Sequence, residues 1–219
     1  MSEPGTLFPL SAPAPASLES GVAALRADLL SPGGPRISTM RNYRFALLQY
    51  APDKEYDARR LVRRLVDELR VAEWQVLEVS LQKLLLDRVR AIGDAAVAAL
   101  VERERALHAK APERALAYVR EKIASHIEGP EGIAADVIRL VDRFAEKDVA
   151  DPDRALVLVG RAGALYPFFR SSALLKHLDG RTHGLSVVLL YPGTRKDVTA
   201  LSFMGRLAPD RDYRPRIYP

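Results

Sequence analysis

Apolar residues along the chain follow two rhythms: short unbroken runs, and longer stretches spaced by threes and fours. After a proline-rich lead-in over residues 1–16, Val22, Leu25 and Leu29 recur at helical spacing. Ser17 stands where an N-cap belongs, and Pro32-Gly33-Gly34-Pro35 closes the segment. Residues 44–50 form a compact apolar run that predicts the first strand. Pro52-Asp53 then opens a helix, with Asp53 as its expected cap and Glu55 and Asp57 at the positive end of its dipole. Leu61, Val62, Leu65, Val66 and Leu69 give that helix one apolar face. Residues 74–79 predict a second strand. Strand, helix and strand in this length of chain imply a parallel pair.

Residues 81–147 carry helical spacing only. Leu116, Val119, Ile123 and Ile127 mark one helix, opened near Pro112 and stopped by Gly129-Pro130. Ile133, Val137, Leu140, Val141 and Phe144 mark another. This stretch is longer than a crossover requires, so it is expected to be a helical insertion between strands two and three. The alternating rhythm resumes at residues 155–159, a strand apolar enough to be buried on both faces. A short helix follows at 171–177 and a fourth strand at 186–190. Residues 213–218 offer an edge strand, the position where Pro215 is tolerated. The expectation is an α/β fold: a small, mostly parallel sheet of four to five strands flanked by helices, forming one domain over residues 17–219.

Composition narrows the chemistry. Hydrophobic residues make up 48% of the 219, enough for a full core. Cysteine is absent, which removes disulfides, thiolate metal sites and cysteine nucleophiles, and suits the cytoplasm. No apolar run approaches the length of a membrane span. Pro9, Pro13 and Pro15 interrupt residues 7–16, and Glu3 stands where a signal peptide would be basic, so no signal peptide is expected. Of the 33 basic residues only seven are lysines; the net charge of +5 is weak evidence for nucleic acid by itself.

Ligands of open α/β sheets sit at the carboxyl ends of the strands. Here those ends carry the loop from Gly160 to Pro167 and the loop from Tyr191 to Arg195; if the third and fourth strands are neighbours, these loops face each other. Ser171 would open a helix beside Arg161, Arg170 and Arg195, an arrangement suited to an anion or a partner, although capping alone accounts for that serine. The loop at Gly160 lacks the Gly-Lys-Ser/Thr of a P-loop, and no G-x-G-x-x-G or G-x-S-x-G follows a strand. The four histidines lack zinc-helix spacing, so neither a metal nor a cofactor is expected. Asp53 and Glu78 form no recognised carboxylate motif. Arg59, Arg60, Arg63, Arg64 and Arg70 line the polar side of the second helix: a phosphate-tracking face, or a solvated one. Together with Arg206, Arg211, Arg214 and Arg216 near the carboxyl end, these residues form a nucleic-acid alternative; a cryptic nucleotide-binding or hydrolytic enzyme with a degenerate site between the two loops is the other.

The C-terminal third carries a distinctive order of segments: Val157-Leu158-Val159-Gly160, Leu165-Tyr166-Pro167-Phe168-Phe169-Arg170-Ser171 and Leu174-Leu175. It continues through Val187-Val188-Leu189-Leu190-Tyr191-Pro192-Gly193, Leu201-Ser202-Phe203 and Asp212-Tyr213-Arg214. In this order the chain resembles the BrxB family of bacterial BREX phage-defence systems, with a looser fit upstream to about residue 17. The resemblance implies a cytoplasmic accessory subunit that works beside a PglZ-like protein, a DNA methyltransferase and a large ATPase, and it supplies no catalytic residue. The expected partner is the PglZ-like component, with DNA contacted either directly or through it. Tyr166, Phe168, Phe169, Tyr191 and Gly193, with Arg161, Arg170 and Arg195, form the expected partner face.

Overall fold

The computed structural model describes residues 17–37, 44–169, 171–195, 201–207 and 215–219, with the backbone alone for 171–173. The 1–16 lead-in, Arg170, Arg211 and Arg214 lie outside the described residues. Seven α-helices and six strands follow in chain order among those described. They are α1 (Leu18–Leu29), β1 (Phe45–Tyr50), α2 (Glu55–Val71), β2 (Gln75–Ser80), α3 (Leu81–Ala91), α4 (Asp94–His108) and α5 (Pro112–Ile127). Then come α6 (Ile133–Lys147), β3 (Ala155–Gly160), α7 (Ser171–Leu178), β4 (Ser186–Arg195), β5 (Leu201–Phe203) and β6 (Arg216–Tyr218). No helix among the described residues is long and apolar enough to cross a membrane.

Five strands run parallel in the order β2-β3-β4-β1-β6, and β5 returns antiparallel along the far end of β4. The α/β expectation holds, with one more strand than anticipated. Because side chains alternate across a strand, the sheet feeds two cores. Leu47, Val157, Val187 and Leu189 point into one core, under α3, α5, α6 and α7. Ala46, Leu48, Leu156, Leu158, Val188 and Leu190 point into the other, under α1 and α2.

Several boundaries follow their sequence signals. Ser17 and Ser20 exchange hydrogen bonds in a capping box that starts α1. Pro112 occupies the first turn of α5, where its missing N–H costs nothing. Pro215 immediately precedes β6, an edge strand.

Other expectations are corrected. Asp53 caps nothing: Pro52–Lys54 form a 3-10 turn, Lys54 N–H bonds the Ala51 carbonyl at 2.8 Å, and α2 starts at Glu55 without a side-chain cap. β1 and β2 are parallel but not paired, since β4 and β3 lie between them. β1 is buried along nearly its whole length and takes a central place, whereas exposed Glu78 and half-buried Gln75 suit β2 to the edge. Leu116, expected on the buried stripe of α5, is 46% exposed: α5 packs chiefly on α4, and it buries Ala115, Ile123 and Ile127 instead. β4 runs five residues past its expected end and draws in β5 as a partner.

β6 is stitched to α1. The Tyr218 hydroxyl donates to Asp28 at 2.8 Å, and Arg216 pairs with the same carboxylate at 2.6 Å. Gly21 of α1 lies so close that a Cβ there would stand 1.8 Å from the Pro219 carbonyl oxygen. Only glycine permits that approach.

Candidate functional site

The chain leaves β1, β2 and β3 at one end of the sheet, and each exit is built differently. After β1 the 3-10 turn delivers Glu55 to the start of α2. After β2, Ser80 accepts from the Lys83 N–H at 3.3 Å, so α3 begins with no intervening loop and places Gln82 on its first turn. After β3, Arg161 adopts the left-handed conformation, with φ of 62°, and opens another 3-10 turn over Ala162–Leu165.

These exits converge on the Arg161 guanidinium. Its Nε and Nη2 donate to Gln82 Oε1 at 3.0 and 2.5 Å, and its Nη1 lies 3.6 Å from Glu55 Oε1. The other Glu55 oxygen accepts from the Tyr50 hydroxyl. Burial pushes the Tyr50 phenol above its ordinary pKa, with the Glu55 carboxylate adding to the shift and Arg161 and Arg59 opposing it. The chain Tyr50–Glu55–Arg161–Gln82 therefore binds three strand ends together. Beside it opens a cleft of about 400 Å³ whose polar lining includes Arg59, Arg63, Glu78, Ser80 and Arg161.

The turn that follows β3 meets the far half of the neighbouring β4, where residues 191–195 are strand and not the expected loop. Gly163 lies against Pro192 and Met204: a Cβ there would stand 3.6 and 3.4 Å from their nearest atoms. The Tyr166 ring meets Phe203 edge-on at 6.5 Å between centroids. Tyr191 is fully buried and packs edge-on against Phe203 at 5.6 Å. Gly193 is buried as well; a Cβ there would lie 2.5 Å from the Ser202 carbonyl oxygen, and Gln49 Nε2 donates to the Gly193 carbonyl at 3.0 Å. Tyr166 and Phe168 are half-buried, whereas Phe169 is in the core.

The residues predicted for this region therefore separate. Arg161, Tyr166, Tyr191 and Gly193 gather around the exits of β3 and β4. Arg195 is exposed and lines a different hollow with Gln49, Tyr50 and Lys54, over the end of β1. Ser171 opens α7, but its side chain, like all of Arg170, lies outside the described residues. The sequence reading missed Glu55 as a partner of Tyr50 and Arg161, and Gln82 as a partner of Arg161. Ser80 was the available clue for Gln82, since an N-cap at a strand end forces the next residues onto a first helical turn.

Arg59, Arg60, Arg63 and Arg64 are exposed on α2. Arg60 pairs with Asp57 at 3.3 Å; the other three meet no carboxylate among the described residues. Glu78 is taken by Arg70 at 2.9 Å, while Asp53 is exposed on the 3-10 turn. His183 lies 2.6 Å from Asp142 of α6, beside a hollow of about 520 Å³ at the opposite end of the sheet. Among the described residues, no three His, Asp or Glu side chains are grouped to hold a metal ion.

Residues 77–217 match the family model described as BREX protein BrxB. No curated protein and no solved structure matches the chain.

Proposed function

The chain belongs to the BrxB family and is thereby a component of a BREX phage-defence system, and from that premise we propose that it is a cytoplasmic assembly subunit that contributes a docking surface rather than chemistry. The observation that carries this reading is how the exits of β3 and β4 are filled. On the side of the sheet away from the Arg161 cleft, where many α/β proteins keep an open crevice, this chain packs Pro192 and Met204 against the Gly163 turn, and Tyr166 and Tyr191 against Phe203. Arg161, the nearest cation, is already engaged by Gln82 and Glu55.

What this braced edge offers is a pair of half-buried aromatics, Tyr166 and Phe168, on a loop anchored to two central strands. Aromatic side chains held partly buried before binding lose little freedom on association, and they are enriched where partners meet. The partner of choice is the PglZ-like component of the same system.

Co-expression with that component followed by size-exclusion chromatography tests the proposal. Co-elution at micromolar concentration is expected, and Phe168→Ala is expected to weaken it at least tenfold with the circular dichroism unchanged. Separate elution of the two wild-type proteins overturns the docking role, and a substrate turned over by the purified chain overturns the absence of chemistry.

A further inference from the structure

The arginine face of α2 and the cleft at the ends of β2 and β3 are one surface. The cleft is lined by Arg59 and Arg63 together with Arg161, and a second hollow along α2 is lined by Tyr56, Arg59, Arg60, Arg63, Arg64 and Asp67. Arg59 and Arg63 belong to both, so the two depressions form a continuous track. From Tyr56 to Asp67 it runs about 16 Å along the helix axis.

The charges on this track are arranged unevenly. Nearby carboxylates are mostly spent on other partners: Glu55 on Tyr50 and Arg161, Asp57 on Arg60, and Glu78 on Arg70. At the far end Asp67 and Glu68 interrupt the α2 face, and Glu68 is held by Arg26 of α1. Arg59, Arg63 and Arg64 are left facing solvent with no carboxylate among the described residues. Beside them Tyr56 is 75% exposed, one turn before Arg59 and Arg60. A large aromatic left this open contributes nothing to the core, yet it is placed to stack on a planar group held by those arginines.

From this juxtaposition we infer that the α2 face and its cleft bind a single-stranded nucleic acid, with Arg59, Arg63 and Arg64 on successive phosphates and Tyr56 stacked on an unpaired base. Guanidinium groups suit phosphate oxygens, and an aromatic platform beside a basic groove is the usual means of holding single strands without sequence preference. A duplex would satisfy the arginines and leave Tyr56 idle, because its bases are already stacked. The inference does not depend on the docking role assigned to Tyr166 and Phe168.

The test is fluorescence anisotropy with a labelled oligothymidylate and with a duplex of equal length, across about 50 to 200 mM salt. The full chain is expected to prefer the single strand and to lose affinity steeply as salt rises. The variant Arg59→Ala/Arg63→Ala/Arg64→Ala removes three phosphate contacts and is expected to flatten the logarithmic salt slope by about 2. Tyr56→Ala is expected to weaken single-strand binding about tenfold while leaving duplex binding unchanged. Because Tyr56 is so exposed, this variant keeps the test sound even if the triple variant folds poorly. Equal affinity for both oligonucleotides, or a Tyr56→Ala variant that binds the single strand as the wild type does, overturns the inference.

Discussion

The Tyr50 hydroxyl shows how one buried group can carry a pH dependence. Its burial and its hydrogen bond to Glu55 hold the phenol neutral in the folded chain beyond its ordinary pKa of about 10. In the unfolded chain the same group ionises near pH 10. The folded state therefore gains stability from this residue that is complete below about pH 10 and is lost as pH rises above it, by up to about 1.4 kcal/mol per pH unit. Tyr50→Phe should remove that slope. Urea unfolding at pH 8 and at pH 11 is expected to show a smaller drop for the variant than for the wild type, although the variant starts about 1 kcal/mol less stable from the lost hydrogen bond. An identical drop in both proteins would mean that the phenol is not held neutral.

Among the elements, α3, α5 and α6 are tied by one arginine. Arg88 of α3 pairs with Asp136 on the first turn of α6 and donates to the His126 carbonyl in the last turn of α5 at 2.7 Å. Both charged side chains are about four-fifths buried, at 20% and 18% exposure, so removing one partner strands the other away from water. Arg139 remains on Asp136 and softens the loss. Arg88→Met keeps most of the apolar stem and is expected to cost about 2 kcal/mol, read as a lower urea midpoint with an unchanged slope. By contrast α4 buries none of its residues and leans mainly on α5. It is the element whose fold contacts are thinnest.

Taken as a whole, the molecule has two cores but one sheet. Leu47 and Leu48, Val157 and Leu158, and Leu189 and Leu190 are neighbours in sequence that point into opposite cores. Neither core can open without pulling apart strands that the other also uses, which couples their unfolding. Trp74, the single tryptophan, is buried in the core beneath α1 and α2, whereas far-ultraviolet circular dichroism is dominated by the helices on both faces. The two signals are expected to report the same denaturant midpoint. Separate midpoints would mean that the helices of the other face melt independently.

Much of this architecture was legible along the chain. Unbroken apolar runs marked β1, β3 and β4, the three central strands, and the stripe from Val62 to Leu69 marked the inner face of α2. Ser17 and Pro112 marked two helix starts because capping acts within a single turn. β5 escaped because three residues carry too little periodicity to be read. The candidate site was legible only in part: Arg161 and the glycine-containing turn after β3 could be named in advance, but residues 191–195, expected as a loop, are strand, and Gln82, which lies 79 residues away and holds Arg161, could not be named. The sequence by itself determined which segments form helices or strands and which side of each is apolar, since those follow from neighbours within a few residues. Strand order, the burial of Tyr191 and the union of the α2 arginines with the cleft at Arg161 were decided by the tertiary structure alone. Such contacts join residues far apart in the chain, and which of them form depends on how the whole set of faces packs at once.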